Sequence, residues 1–164
     1  KKIHINSPLS TLNSQLKKEI KMKLNTKYYG ILNYEQKDII TFQKGIPGFE
    51  NLKKFILVSA EENKLFYILH SVEDLNIGIV VVSPFNVVKN YEFDLNDDKA
   101  SELNVKSQND IIVVNTVHLN SKLENITVNL KAPIVINKNE NIGEQLILDR
   151  VDYPIKYPLF KGEF

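Results

Sequence analysis

The residues whose types could do chemistry are three histidines, a His-Ser-x-Glu-Asp run at His70-Ser71-Val72-Glu73-Asp74, and the acidic pairs Glu61-Glu62, Glu73-Asp74 and Asp97-Asp98. His4, His70 and His118 share no ligand spacing, and no acidic neighbour completes a metal cluster beside any of them. His70 beside Ser71, with carboxylates just after, could in principle supply a base, a nucleophile and an orienting acid. The flanking residues lack the nucleophile elbow and the glycine run that would build an oxyanion hole, so half-buried strand residues are the better reading. A glycosidase needs two carboxylates held apart across a cleft, whereas adjacent carboxylates on turns are commonly solvated charge or helix caps. Lys44-Gly45 lacks the glycine-rich run closing on Lys-Ser or Lys-Thr that cradles phosphate. The chain is therefore expected to carry no catalytic residue, no metal and no cofactor. The competing expectation is a small β-barrel hydrolase or ligand-binding protein using His70, Glu73 and Asp74, which requires one concave pocket holding all three.

The elements that must position these side chains are strands. From Lys23 onward the apolar period is mostly two, with candidate strands at 28–34, 38–42, 55–59, 65–70, 77–82, 111–119, 126–130, 134–136 and 145–148. They are rich in isoleucine, valine, phenylalanine and tyrosine. One short helix is expected at Asp97–Leu103, with Asp97-Asp98 as cap and Ala100 and Leu103 facing inward. Two segments have strong local character. In Phe42-Gln43-Lys44-Gly45-Ile46-Pro47-Gly48-Phe49-Glu50, Pro47 fixes its own φ and Gly48 can take the positive φ of a type II turn. The segment reads as a rigid corner anchored by Phe42 and Phe49, and rigid loops on β scaffolds more often recognise than catalyse. In Thr127–Asn137, Pro133 cannot donate a ladder hydrogen bond, so the chain bends, bulges or lies at an edge there. It is either a barrel corner with turn asparagines or an edge that takes a partner segment. The expected class is all-β: a small barrel-like domain with one or two short helices.

At 164 residues the chain is long enough to bury one sizeable core. It has no cysteine, which excludes a disulfide scaffold and thiolate chemistry and permits a reducing cytoplasmic location. No apolar run reaches the length of a membrane span. The net charge of +1 is uneven: residues 1–21 hold five lysines and one acid, leaving −3 on the rest. Arg150 is the only arginine, a poor endowment for direct nucleic-acid recognition. Met22 is the only methionine, so the natural start is expected there, dividing the chain into a 1–21 extension and a 22–164 domain. Within the extension, Ser7 can cap and Pro8 suits the first helical position. Leu9, Leu12, Leu16 and Ile20 recur at spacings of three and four, an amphipathic helix following a strand-like piece at Lys1–Asn6. The extension is either a leader or a partner-derived peptide joined in front.

Taken in order, several segments resemble the FliW family of bacterial flagellar assembly factors. They are Gly45 through Glu50, Ser71 to Asp74, Pro84, Tyr91, the ungapped Thr127 to Asn137, Gln145 to Leu148 and Tyr153 to Ile155. The likeness runs from about Met22 to about Phe160, and residues 1–21 depart from it. It implies a non-enzymatic β-barrel protein of the cytoplasm that binds flagellin at its C-terminal region. It also implies binding of CsrA, a dimeric regulator that represses flagellin translation. Flagellin occupying the protein would then release CsrA. A basic RNA-binding partner suits a mildly acidic body. Glu50, Glu73 and Asp74 are accordingly the acidic partner-binding candidates, with Phe49 and Asn129 beside them.

Overall fold

The structure, a computed structural model, describes residues 2–6 and 20–161. The strands are β1 (Ile3–Ile5), β2 (Met22–Asn25), β3 (Ile31–Tyr34), β4 (Ile40–Thr41), β5 (Lys54–Ser59), β6 (Phe66–Ser71), β7 (Gly78–Val82) and β8 (Phe93–Leu95). A helix, α1 (Asp97–Glu102), precedes β9 (Ile111–His118), β10 (Thr127–Val128), β11 (Ile134–Asn137), β12 (Ile142–Gln145) and β13 (Tyr157–Pro158).

Seven of these strands close on themselves in the order β11-β12-β4-β5-β6-β7-β9, with β9 returning to pair with β11. Every pairing in the ring is antiparallel except β12 with β4, where Ile142 stands opposite Thr41. Closure removes the sheet edges that would otherwise invite pairing between molecules.

Alternation along the strands builds two cores. Phe42, Phe55, Leu69, Val81, Val114, Ile134 and Ile136 share the cluster inside the barrel. Ile111, Val113 and Val135 belong to a second cluster outside it, with Tyr91, Phe93, Leu95, Leu103, Val128 and Leu130. β9 thus serves both, Val113 on one face and Val114 on the other, as the strand period of two requires. The Phe42 ring is fully buried and lies so close to Gly143 that a Cβ there would sit 2.6 Å from ring atoms. Tyr91, 1% exposed, donates its hydroxyl to the Leu130 carbonyl at 2.8 Å, and burial pushes its pKa far up.

The all-β expectation holds, and the hydrophobic runs at 55–59, 65–70, 77–82 and 111–119 become β5, β6, β7 and β9. Helix α1 forms with Ala100 and Leu103 buried, but its cap is Asn96, whose Oδ1 accepts from Lys99 N at 2.9 Å. The last barrel strand lies three residues earlier than the apolar pattern indicates, at Ile142–Gln145. Leu146 and Leu148 are buried beyond it, their amides bonded to the Pro133 and Lys131 carbonyls. The amphipathic helix expected from Ser7 lies on residues outside the described ones; its final apolar member, Ile20, is 85% exposed.

Candidate partner-binding surfaces

The turn after β4 is built as its glycines require. Ile46-Pro47-Gly48-Phe49 closes with Phe49 N–H donating to the Ile46 carbonyl at 2.7 Å, and Gly48 has φ +89°, the signature of a type II turn. Phe42 is buried in the barrel and Phe49 is half-buried, so both anchor it. Glu50 is exposed, and its Oε1 accepts from Gly48 N–H at 2.9 Å. That bond, with the Glu50 amide second, holds the carboxyl below the usual range.

Beside it stands the β6–β7 turn. Glu73 Oε2 accepts from the Lys53 and Lys54 amides at 2.6 and 2.8 Å, locking the start of β5. Asp74 Oδ1 accepts from the backbone and side-chain N–H groups of Asn76, both at 2.9 Å, and this lowers its pKa. Lys27 N–H, in the β2–β3 hairpin, donates to the Leu75 carbonyl at 3.0 Å. Glu50, Glu73 and Asp74 are therefore fixed on one end of the barrel, next to the exposed side chains of Tyr28 (66%) and Leu75 (47%). The sequence missed those two apolar members, whose solvent exposure only the hairpin's docking determines.

Asn129 is elsewhere. Its Oδ1 accepts from the Lys131 and Ala132 amides at 3.1 Å, and its carbonyl accepts from buried Asn115 Nδ2 at 2.7 Å. It shapes the corner at Pro133 where β9 exchanges partner β11 for β10. The segment forms a barrel corner with Asn129 as its turn asparagine.

His70 and Ser71 cannot act as a pair. Adjacent residues of β6 point to opposite faces. His70 is 1% exposed, its Nδ1 donating to the Ser71 carbonyl at 2.7 Å, and its ring meets Tyr29 edge-on at 5.9 Å. Ser71 Oγ, fully buried, accepts from the Glu73 and Asp74 amides at 3.0 Å. His70 is buried, whereas the Glu73 and Asp74 carboxylates are tied to the Lys53, Lys54 and Asn76 amides. Among the described residues no group of three or more His, Cys, Asp or Glu could hold a metal ion.

At the opposite end the barrel opens into a cleft of about 670 Å³, lined by Ile40, Leu57, Tyr67, Phe85, Ile112 and Val114 and rimmed by Ser59, Ser83 and Asn139. These come from four separate strands and two turns, so no local pattern announces them.

A charge ring ties this architecture together. Lys44 Nζ lies 3.2 Å from Glu102 and 3.1 Å from Glu144, and Lys99 Nζ lies 2.8 and 2.7 Å from the same pair. Glu102 and then Glu144 hold the Lys99 ammonium well above its ordinary range. The ring joins the turn after β4, α1 and β12 with its charges balanced. Lys99→Met is expected to lower stability by about 1 kcal/mol, an effect that shrinks in high salt. Urea melts at two ionic strengths check this.

These features define a small closed β-barrel with an inner and an outer core, a fixed acidic corner at one end and an apolar mouth at the other. The sequence pattern of the FliW protein family matches residues 23–159. The flagellar assembly factor FliW of Clostridium kluyveri is 72% identical over 142 residues, which cover 87% of this chain and 98% of that protein. That of Clostridium botulinum (strain Okra / Type B1) is 52% identical over 142 residues, covering 87% of this chain and 99% of the other. A crystal structure of the flagellar assembly factor FliW superposes with a TM-score of 0.80 at 36% identity, over 87% of this chain and 100% of that one. The chain belongs to the FliW family.

Proposed function

We propose that this protein is a cytoplasmic flagellar assembly factor that acts by holding other proteins. It binds CsrA and the C-terminal region of flagellin, and flagellin occupancy releases CsrA to repress flagellin translation. Nothing is cleaved or transferred; the switch is competition between two partners. Among the described residues no helix is long and apolar enough to cross a membrane, which fits a partner met in solution.

The observation that carries this reading is the acidic corner. Glu50 and Asp74 are held by hydrogen bonds to N–H groups of their own turns and Glu73 by the Lys53 and Lys54 amides, so their charge is presented without further ordering. Preorganised charge steers a basic partner and raises its association rate. Exposed Tyr28 and Leu75 beside it supply the apolar contact that such an interface needs at its centre. Phe49, in the same turn as Glu50, and Asn129, at the separate Pro133 corner, remain proposed partner contacts.

The test is a triple substitution, Glu50→Gln, Glu73→Gln and Asp74→Asn, which keeps an acceptor oxygen at each turn and removes the charge. Titration calorimetry with CsrA should show affinity falling about tenfold or more at low salt, with little salt dependence left. Unchanged affinity in a folded variant would remove the acidic corner from the interface.

A further inference from the structure

β8 is an odd strand in this fold. Among the described residues it lies outside the barrel and pairs only with β1, in a two-stranded sheet of its own. The register is antiparallel, with Ile3 opposite Leu95, His4 opposite Asp94 and Ile5 opposite Phe93. One face is apolar: Phe93, Leu95 and Ile5 are 3%, 2% and 1% exposed in the outer core, and Ile3 packs against it. The other face is polar. His4 Nδ1 lies 2.9 Å from Asp94 Oδ1, and its Nε2 lies 3.3 Å from Glu92 Oε2.

The element that fills this position is not part of the shared domain. The family pattern begins at residue 23, and the 142-residue match takes in 98% of the C. kluyveri protein. That relative therefore has no counterpart of β1, while the stretch that forms β8 lies within the shared pattern. In such a domain the outer edge of β8 has N–H and C=O groups to pair and an apolar slot to fill.

We infer that the outer edge of β8 is a strand-addition site for an extended segment of a protein partner, apolar–basic–apolar in pattern, and that residues 2–6 are a tethered occupant holding it closed. Main-chain pairing supplies the attachment and alternate side chains the selectivity. Two isoleucine-sized side chains enter the outer core, and the residue between them must be cationic to answer two carboxylates. Proline is excluded inside the segment, because it cannot donate to the ladder. The site is distinct from the acidic corner, so its failure would leave the proposed function untouched.

The His4 contacts make the closure pH-dependent. The groups facing this histidine are Asp94 and Glu92; Lys2 and Arg150 act on Asp94 from nearby. Asp110, in the 108–110 turn against which β1 lies, has its carboxylate held by the Lys106 and Ser107 amides. Both ring nitrogens of His4 face carboxylates, so only the imidazolium can donate to both. The Asp94 bond, followed by the Glu92 interactions, raises the His4 pKa over the opposing effect of burial. Docking is therefore strongest below about pH 6.5 and weakens as pH rises through the raised value. Asp94, whose pKa the same bond lowers, loses its contribution only in acid.

The experiment uses the full chain and a fluorescein-labelled peptide of residues 1–6. In the parent the tether presents the cis strand at about millimolar effective concentration, so the peptide binds poorly. Ile3→Asp with Ile5→Asp should free the slot and raise peptide affinity, read by anisotropy, at least tenfold, more at pH 5.5 than at pH 8. Adding Glu92→Lys and Asp94→Lys, both at exposed positions, should cancel the gain. Should the aspartate variant misfold, hydrogen exchange on the parent decides. Protection factors of Phe93–Leu95 should fall from pH 5.5 to pH 8, and fall again with the two lysine substitutions alone. A folded variant that ignores the peptide, or protection that neither pH nor charge reversal moves, overturns the inference.

Discussion

Gly45→Ala lowers the stability of this protein by about 3 kcal/mol, and Gly48→Ala, three residues away, by about 1 kcal/mol. Both glycines have positive φ, +69° and +89°, where an L side chain is strained. The difference lies in what a Cβ meets. At Gly48 nothing stands within 4 Å. At Gly45 it would come within 2.6 Å of Glu50 Cα and O and 2.8 Å of Glu50 C. Those atoms are backbone and cannot swing away, so the turn must open. Opening it weakens the Phe49–Ile46 and Gly48–Glu50 hydrogen bonds, each contributing about 1 kcal/mol. At this chain length the Gly45 variant should melt about 6–12 °C lower. Equal melting temperatures for the two variants would contradict the account of the turn.

Asn137→Ala should cost about as much, about 3 kcal/mol, by a different route. Asn137 is 1% exposed at the end of β11. Its Nδ2 donates to the Leu103 and Asn104 carbonyls, both at 2.9 Å. Its Oδ1 accepts from the Asn139 and Glu140 amides at 2.9 and 3.3 Å. One side chain thus joins the C-terminal end of α1 to the β11–β12 turn. Alanine strands four backbone groups where water reaches poorly. Asn137→Asp keeps the acceptors, loses both donors and introduces a charge, so it should be no milder. Urea denaturation measures the loss, and hydrogen exchange should place the first loosening at α1. An Asn137→Ala variant within 1 kcal/mol of the parent would contradict this role.

How much of this the sequence discloses depends on where the determining contacts come from. β5, β6, β7 and β9 are β-branched or aromatic runs whose alternation is local, and they are legible. The type II turn is legible because Pro47 and Gly48 each restrict their own backbone. β12 is not, since Ile142-Gly143-Glu144-Gln145 contains a single large apolar residue. Gly143 is there to admit the Phe42 ring, a contact from a strand a hundred residues away. β8 is three residues long, and its partner β1 lies about ninety positions earlier in the chain, so no window of sequence contains both.

The candidate site divides in the same way. Glu50, Glu73 and Asp74 read correctly as acidic residues on turns, and the fold brings them to one end of the barrel. That each also holds backbone amides, Glu50 and Asp74 within their own turns and Glu73 across at Lys53 and Lys54, is something residue types do not reveal. Asn129 reads either as a turn asparagine at a barrel corner or as part of an edge open to a partner, and its amide oxygen accepts from two amides of that corner. His70 and Ser71 look like partners because they are adjacent, and adjacency on a strand is what separates them.

The most direct test of the central claim is a displacement experiment on the full chain. CsrA is bound first, the complex is isolated by size exclusion, and flagellin is added at increasing concentration. Both partners should bind alone, and flagellin should release CsrA stoichiometrically. A folded protein that binds neither, or that carries both together without exchange, contradicts the claim.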